Sequence, residues 1–255
     1  MFYAALRSLA TVIAISFVSN ARAAAVPQDC TQLLVAVAPD WNSMRGELRV
    51  YERQRGGKWT QQGRPIPVLF GKNGLAWGTG LAGQNESGLR KKERDGRAPA
   101  GVFRLGKVYT YDAQLPSGSD YPFHTVTEAD LWSDDPRSPN YNRHVLIDPK
   151  NPPDNYSHER MRSADFAYRW LIEVRHNSDP PVPDLGSAIF FHIRRGVNRP
   201  TAGCTTMAEA DLVRVIRWLR SARKPCYALL PASEYEKKWQ SWDLPAPAAA
   251  GVERE

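Results

Sequence analysis

Apolar positions along the chain fall mostly in short runs or alternate with a period of two, the pattern of strands rather than helices. Leu33 to Ala38 (LLVAVA) reads as a buried strand and Gly46 to Gln54 (GELRVYERQ) as a half-exposed one. Gly56 and Gly57 make a turn, Lys58 to Gln62 continues a hairpin, and Ile66 to Phe70 follows a break at Pro65. Leu75 to Gly101 is dense in Gly, Lys and Arg and reads as loop or very short strand. Val102 to Tyr111, Val145 to Asp148, Tyr168 to Arg175 (YRWLIEVR), Ser187 to His192 (SAIFFH) and Tyr227 to Leu230 (YALL) complete the strand set. Leu115 to Asn142 is long and polar with few strand signals, the mark of a functional excursion. Helical spacing occurs once: Leu212, Val215, Ile216 and Leu219 recur at i, i+3, i+4 and i+7. Thr206 and Glu209 stand as a T-x-x-E capping box before them, so the main helix is expected near 207–222. The sum is one β-rich domain over 24–240 with a disordered tail at 241–255.

Composition supports this class. Of 255 residues, 42% are hydrophobic and 24% charged, which excludes a disordered chain, and 20 Pro and 18 Gly against 4 Met disfavour a helical bundle. The first 23 residues read as a secretory signal peptide: Arg7, then the apolar run Leu9 to Val18, then Ala21-Arg22-Ala23 as the cleavage site. That run is too short to span a bilayer comfortably, so no stable membrane anchor is expected and the mature protein is placed in the periplasm or cell envelope. Loss of Arg7 and Arg22 lowers the net charge from +7 to about +5. In that compartment the basic excess suits an anionic envelope polymer and not nucleic acid.

Export also reframes the three cysteines. Cys30 and Cys226 each precede a strand. If those strands are sheet neighbours, the sulfurs can form a disulfide; otherwise they are two free buried thiols. Cys204 remains as an odd thiol in an exported chain, which calls for a reason.

Gly186 to Asp211 (GSAIFFHIRRGVNRPTAGCTTMAEAD) offers one. A strand ends at His192, a basic loop follows, and Cys204 comes just before the expected helix. A thiol there would be acidified by the helix dipole, Gly203 would allow close approach of substrate, and His192 could serve as the base. A buried Cys and a core His are the structural alternative. With no CxxC or HxxxH spacing, no metal ligand set is identified, and His124, His144, His158 and His176 read as surface or structural residues.

The strand His, the loop and Thr201-Ala202-Gly203-Cys204 resemble the catalytic motif of the YkuD-type (ErfK/YbiS/YcfS/YnhG) L,D-transpeptidase catalytic domain family. Asp95 to Phe103 (DGRAPAGVF) resembles the family's upstream signature, and Trp132 to Pro136, Tyr141-Asn142 and Tyr168 to Arg175 are similar to one of its subgroups. The likeness covers about 33–231. It implies a mixed β-sandwich or barrel-like fold. It also implies a cell-wall enzyme, without cofactor, in which Cys204 attacks a peptidoglycan stem peptide to form a thioester that passes to an amine of a second stem. On this reading His192 is the base, the N–H groups of Gly203 and Cys204 hold the oxyanion, and a backbone carbonyl orients the imidazole. Thr201, Arg194, Arg195, Arg199 and, upstream, Arg97 contact the carboxylate-rich stem peptides, and carbapenems acylate Cys204. The family motif has a second His where Ala202 stands, Arg or Asn where Thr206 stands, and Gly where Ile193 stands; these departures imply an altered donor or acceptor preference. The same site used with water would give a carboxypeptidase or amidase, and a wall-binding module without catalysis is the third class.

Overall fold

A computed structural model describes residues 24–247. The strands are β1 (Gln32–Ala38), β2 (Arg45–Glu52), β3 (Thr60–Leu69), β4 (Leu75–Trp77), β5 (Ala98–Thr110), β6 (Phe123–Thr125), β7 (Asp130–Trp132), β8 (His144–Leu146), β9 (Trp170–Val174), β10 (Phe190–Ile193), β11 (Thr205–Met207) and β12 (Cys226–Pro231). Three α-helices join them: α1 (Tyr156–Glu159), α2 (Glu209–Trp218) and α3 (Ala232–Lys238).

The main sheet runs β12-β1-β2-β3-β11-β10-β9-β5-β4, and β12 also pairs with β5. That second pairing closes the sheet, so the architecture is a mixed β-barrel. Closure removes the exposed edges that an open sheet must otherwise protect. Inward side chains form the main core, including Leu33, Phe103, Ile172, Phe191, Met207 and Tyr227. Helix α2 packs Leu212, Val215 and Ile216 against the same core, as the i, i+3, i+4 spacing requires.

Several boundaries differ from the sequence reading. The chain passes Pro65 without leaving the sheet, so the two predicted segments are one strand, β3, with an irregular register against β2 between Leu48 and Val50. The predicted capping box is absent. Thr206 lies inside β11, the helix begins at Glu209, and Ala208 occupies the cap position with no side-chain cap. Tertiary pairing of Thr205–Met207 with β10 and β3 overrides the local helix signal. The chain also stays on the core beyond 240. Trp242 and Leu244 are buried, the Trp242 carbonyl accepts the Val26 N–H, and the Pro245 carbonyl accepts the Tyr235 hydroxyl. The proposed signal peptide and the rest of the tail, 248–255, lie outside the described residues. Among the described residues no helix is long and apolar enough to cross a membrane.

The polar excursion has structure of its own. β6 adds to β5, while β7 and β8 form a separate two-stranded sheet. Val126 and Trp132 from this segment join Tyr109, Met161, Leu171 and Phe190 in a second apolar cluster, against which Cys204 packs. The excursion therefore walls the outer face of β9 and β10.

Candidate active site

Side chains alternate across a strand, and β10 uses this to serve two sides. Phe191 and Ile193 point into the main core, while Phe190 belongs to the outer cluster. His192 shares the outer face with Phe190. β10 and β11 run parallel with Phe191 opposite Thr205 and His192 opposite Thr206. Cys204, just ahead of β11, thus emerges beside Phe190 on the same face as His192. The Phe190 N–H donates to Cys204 Sγ, and the thiol donates to the Ala188 carbonyl, both at 3.4 Å. The His192 ring meets Tyr168 edge-on, with centroids 5.2 Å apart, and Tyr168 also lies in the electrostatic reach of Cys204. Strand pairing thus puts Cys204 and His192 on one face of the sheet.

His192 Nδ1 lies 2.9 Å from the Ile193 carbonyl. A carbonyl only accepts, so Nδ1 carries the proton and Nε2 is left with its lone pair. This supplies the orienting carbonyl that the family resemblance implies, from the residue next in sequence. Burial lowers the His192 pKa to about 4, so the ring is neutral.

The thiol differs from the sequence expectation. Cys204 is not at a helix start, because β11 intervenes before α2. Burial raises its pKa to about 11, against which the Phe190 N–H and the cations of Arg195 and Lys91 act in the opposite direction. At neutral pH the resting pair is therefore thiol and neutral imidazole, not thiolate and imidazolium.

The turn holding Cys204 is tightly built. The Thr201 hydroxyl donates to the Cys204 carbonyl at 2.6 Å and accepts the Gly203 N–H at 3.0 Å. Thr201 is thus a brace for the turn and buried, not an open substrate contact. Gly203 N–H, expected as an oxyanion donor, is already engaged by that hydroxyl. The Cys204 N–H has no acceptor among the described residues. A Cβ at position 203 would stand 2.9 Å from the Arg97 carbonyl and 3.1 Å from Ile189, so glycine is needed there for close packing.

The expected arginines separate. Arg195 Nε donates to Asp165 at 2.8 Å, and its guanidinium stacks 4.8 Å from the Tyr168 ring centroid, which sets it beside the pair. Arg97 instead donates to the Leu75 carbonyl at 3.0 Å and anchors backbone. Arg194 is half-buried, with its N–H bonded to the Met207 carbonyl, and Arg199 is exposed. Cys30, just before β1, and Cys226, at the start of the adjacent β12, are both buried, and both thiols are free in this structure.

Residues with weaker sequence signals complete the site. Asn142 accepts the Trp132 indole N–H at 3.1 Å and the Ala188 N–H at 3.0 Å through one oxygen, and its amide donates to the His176 and Asn177 carbonyls. Ala188 has a positive φ of 52°, a strained conformation for alanine that this bond helps hold. Thr206, opposite His192, has a buried hydroxyl without a hydrogen-bond partner among the described residues. Of the other histidines, His176 is structural, accepting the Thr79 N–H and facing the Leu185 carbonyl. His124 and His144 both converge on Asp130.

A closed mixed barrel thus carries Cys204 and His192 on one outer face, with the imidazole oriented by a carbonyl. The YkuD family profile, L,D-transpeptidase catalytic domain, matches residues 44–227, and the chain belongs to that family. No curated protein sequence matches it.

Proposed function

We propose that this domain crosslinks peptidoglycan as an L,D-transpeptidase with Cys204 as nucleophile and His192 as general base. The observation that carries the reading is the common face of Cys204 and His192, with Nε2 of the neutral imidazole left as the basic nitrogen.

Starting from a neutral pair, proton transfer accompanies attack. Cys204 Sγ bonds to the stem carbonyl carbon while His192 Nε2 takes the thiol proton. The oxyanion is received by the Cys204 N–H, with Gly203 N–H available only if Thr201 releases it. As the C–N bond breaks, the imidazolium returns its proton to the leaving amine, and a thioester remains. The second stem's amine then attacks the thioester and His192 takes its proton. The C–S bond breaks, and the proton passes back to the sulfur. Arg195, held by Asp165 over Tyr168, presents positive charge toward a substrate rich in carboxylates. Arg194 and Arg199 on the loop after β10 extend that charge outward. Thr206, in place of the family's Arg or Asn, leaves a small neutral group beside His192, and the donor bond is read as differing accordingly. The signal-peptide reading of 1–23 places this activity in the envelope.

Incubation of the mature protein with purified sacculi, followed by muropeptide mass analysis, tests the proposal. New dimers are expected, and Cys204→Ser should form none. Shortened monomers in place of dimers would assign hydrolysis; an unchanged profile with retained binding would assign a wall-binding module. A carbapenem should add its mass once, at Cys204, and not to the serine variant.

A further inference from the structure

Outside the Cys–His site, His124, Asp130 and His144 form a compact cluster whose ligand atoms all lie within 4.8 Å of one another. We propose that these three side chains are a binding site for a divalent ion of borderline softness, with Zn²⁺ as the best fit.

Both imidazoles aim Nε2 at the same oxygen, Asp130 Oδ1, at 2.5 Å for His124 and 2.6 Å for His144. Two nitrogens and a carboxylate oxygen are the donor set borderline ions prefer. With Zn–ligand bonds of about 2.0–2.2 Å, tetrahedral donors stand roughly 3.3 Å apart. Each imidazole would need to draw back by less than about 1 Å to admit the ion, with its proton moving from Nε2 to Nδ1.

The charge balance points the same way. Asp130 is fully buried, and its only ion-pair partners among the described residues are these two rings. The Thr127 N–H and hydroxyl both donate to its Oδ2 at 2.7 Å. Those bonds fix the carboxylate from behind, as outer partners do for metal ligands. The His124 and His144 side chains are 30% and 19% exposed, which gives an entry path and room for a water ligand.

The three residues lie on β6, β7 and β8, so an ion here would clip the separate hairpin to the strand that extends the barrel. Tyr109 packs its ring against both imidazoles and against Trp132 and Phe190. The ion would thereby steady the apolar cluster against which Cys204 packs.

The test uses the mature chain with Cys204→Ser, which removes the half-buried competing thiol. Zn²⁺ is titrated against a chromophoric chelator, and Co²⁺ serves as the spectroscopic probe. Expected are one equivalent bound at micromolar affinity or tighter and a rise in melting temperature with Zn²⁺. Co²⁺ should give visible d–d bands without thiolate charge transfer. His124→Gln and His144→Gln should each weaken binding at least tenfold; His124, the more exposed, guards against a variant that misfolds. No binding at micromolar Zn²⁺, unchanged stoichiometry and affinity in both variants, or a thiolate band with Co²⁺ would overturn the assignment.

Discussion

Asn142 governs the position of Ala188: its side-chain oxygen accepts the Ala188 N–H at 3.0 Å, and the Ala188 carbonyl in turn receives the Cys204 thiol. The same oxygen holds Trp132, so one amide ties the excursion to the hydrogen-bond acceptor of Cys204. Asn142→Ala would leave several buried groups unpaired, at roughly 1–3 kcal/mol for each. The melting temperature should fall by about 10 °C, given roughly 2–4 °C per kcal/mol in a domain of this size. Carbapenem acylation at Cys204, measured on the folded fraction, should slow at least tenfold. Acylation at the wild-type rate in a destabilised variant would make Asn142 purely structural.

The thiol should ionise late. Burial raises Cys204 to about 11, so its alkylation rate should keep climbing well past the ordinary thiol pKa of about 8.5. Arg195→Gln removes one of the two cations that oppose this and should move the midpoint higher still. Stopped-flow alkylation across alkaline pH, in protein checked for folding by circular dichroism, measures both. A midpoint below 8.5 would mean that the pocket is hydrated and the thiolate stabilised as a resting species.

Much of this was legible in the sequence because strand alternation and motif spacing are local properties. Leu33–Ala38 and Leu212 to Leu219 carry their own periodicity, and both elements form where that periodicity puts them. His192 and Cys204 are brought to one sheet face, but not by the expected device. Thr206 and Glu209 match a capping box locally, yet Thr206 is claimed by pairing with His192 and Leu69. That pairing is non-local, so no window around Thr206 reveals it. Barrel closure through β12 and β5 is likewise a long-range contact. The roles of Asp165, Ala188 and Asn142 depend on three separated segments meeting, and spacing along the chain carries no trace of that. His124 and His144 stood too far apart for any metal-ligand spacing, although both reach Asp130.

Acid should destabilise the fold through its buried histidines. His176 and His192 both have pKa values lowered to about 4 by burial, against about 6.5 in the unfolded chain. Between those values the unfolded state binds more protons, so stability rises with pH there. The contribution is fully present above about pH 6.5 and is lost as pH falls toward 4, on the order of 3 kcal/mol for each ring. Urea titrations across this window should show the slope, and His192→Gln should reduce it by about half. An unchanged slope in that variant would mean that His192 is already protonated or solvated in the native state. Activity should fall over its own acid limb near pH 4, where the base is protonated, and not near 6.5.

The last prediction concerns Cys30 and Cys226. β1 runs parallel to β12 with Leu33 opposite Cys226, and the two thiols sit side by side under the barrel seam. Each thiol shifts the other, lowering the Cys30 pKa and raising that of Cys226, while the Cys30 thiol donates to the Gln32 carbonyl at 3.2 Å. Arg104, with Nη1 3.7 Å from Cys226 Sγ and an ion pair to Asp29, adds positive charge at the pair. Cys30 is thus the thiol set to become the attacking thiolate in exchange with an oxidant. In an oxidising compartment the expected product is a Cys30–Cys226 disulfide, with Cys204 left free. It would join the start of the domain to its last strand and constrain the unfolded chain, worth ~2–4 kcal/mol. Non-reducing peptide mapping of the exported protein should recover the Cys30 and Cys226 peptides linked, and reductant should lower the melting temperature by about 10 °C. Cys30→Ser should reproduce the reduced melting temperature and lose its sensitivity to reductant. All three thiols free in exported protein would overturn the pairing, and Cys204 found in the bridge of active protein would overturn both the pairing and the thioester mechanism.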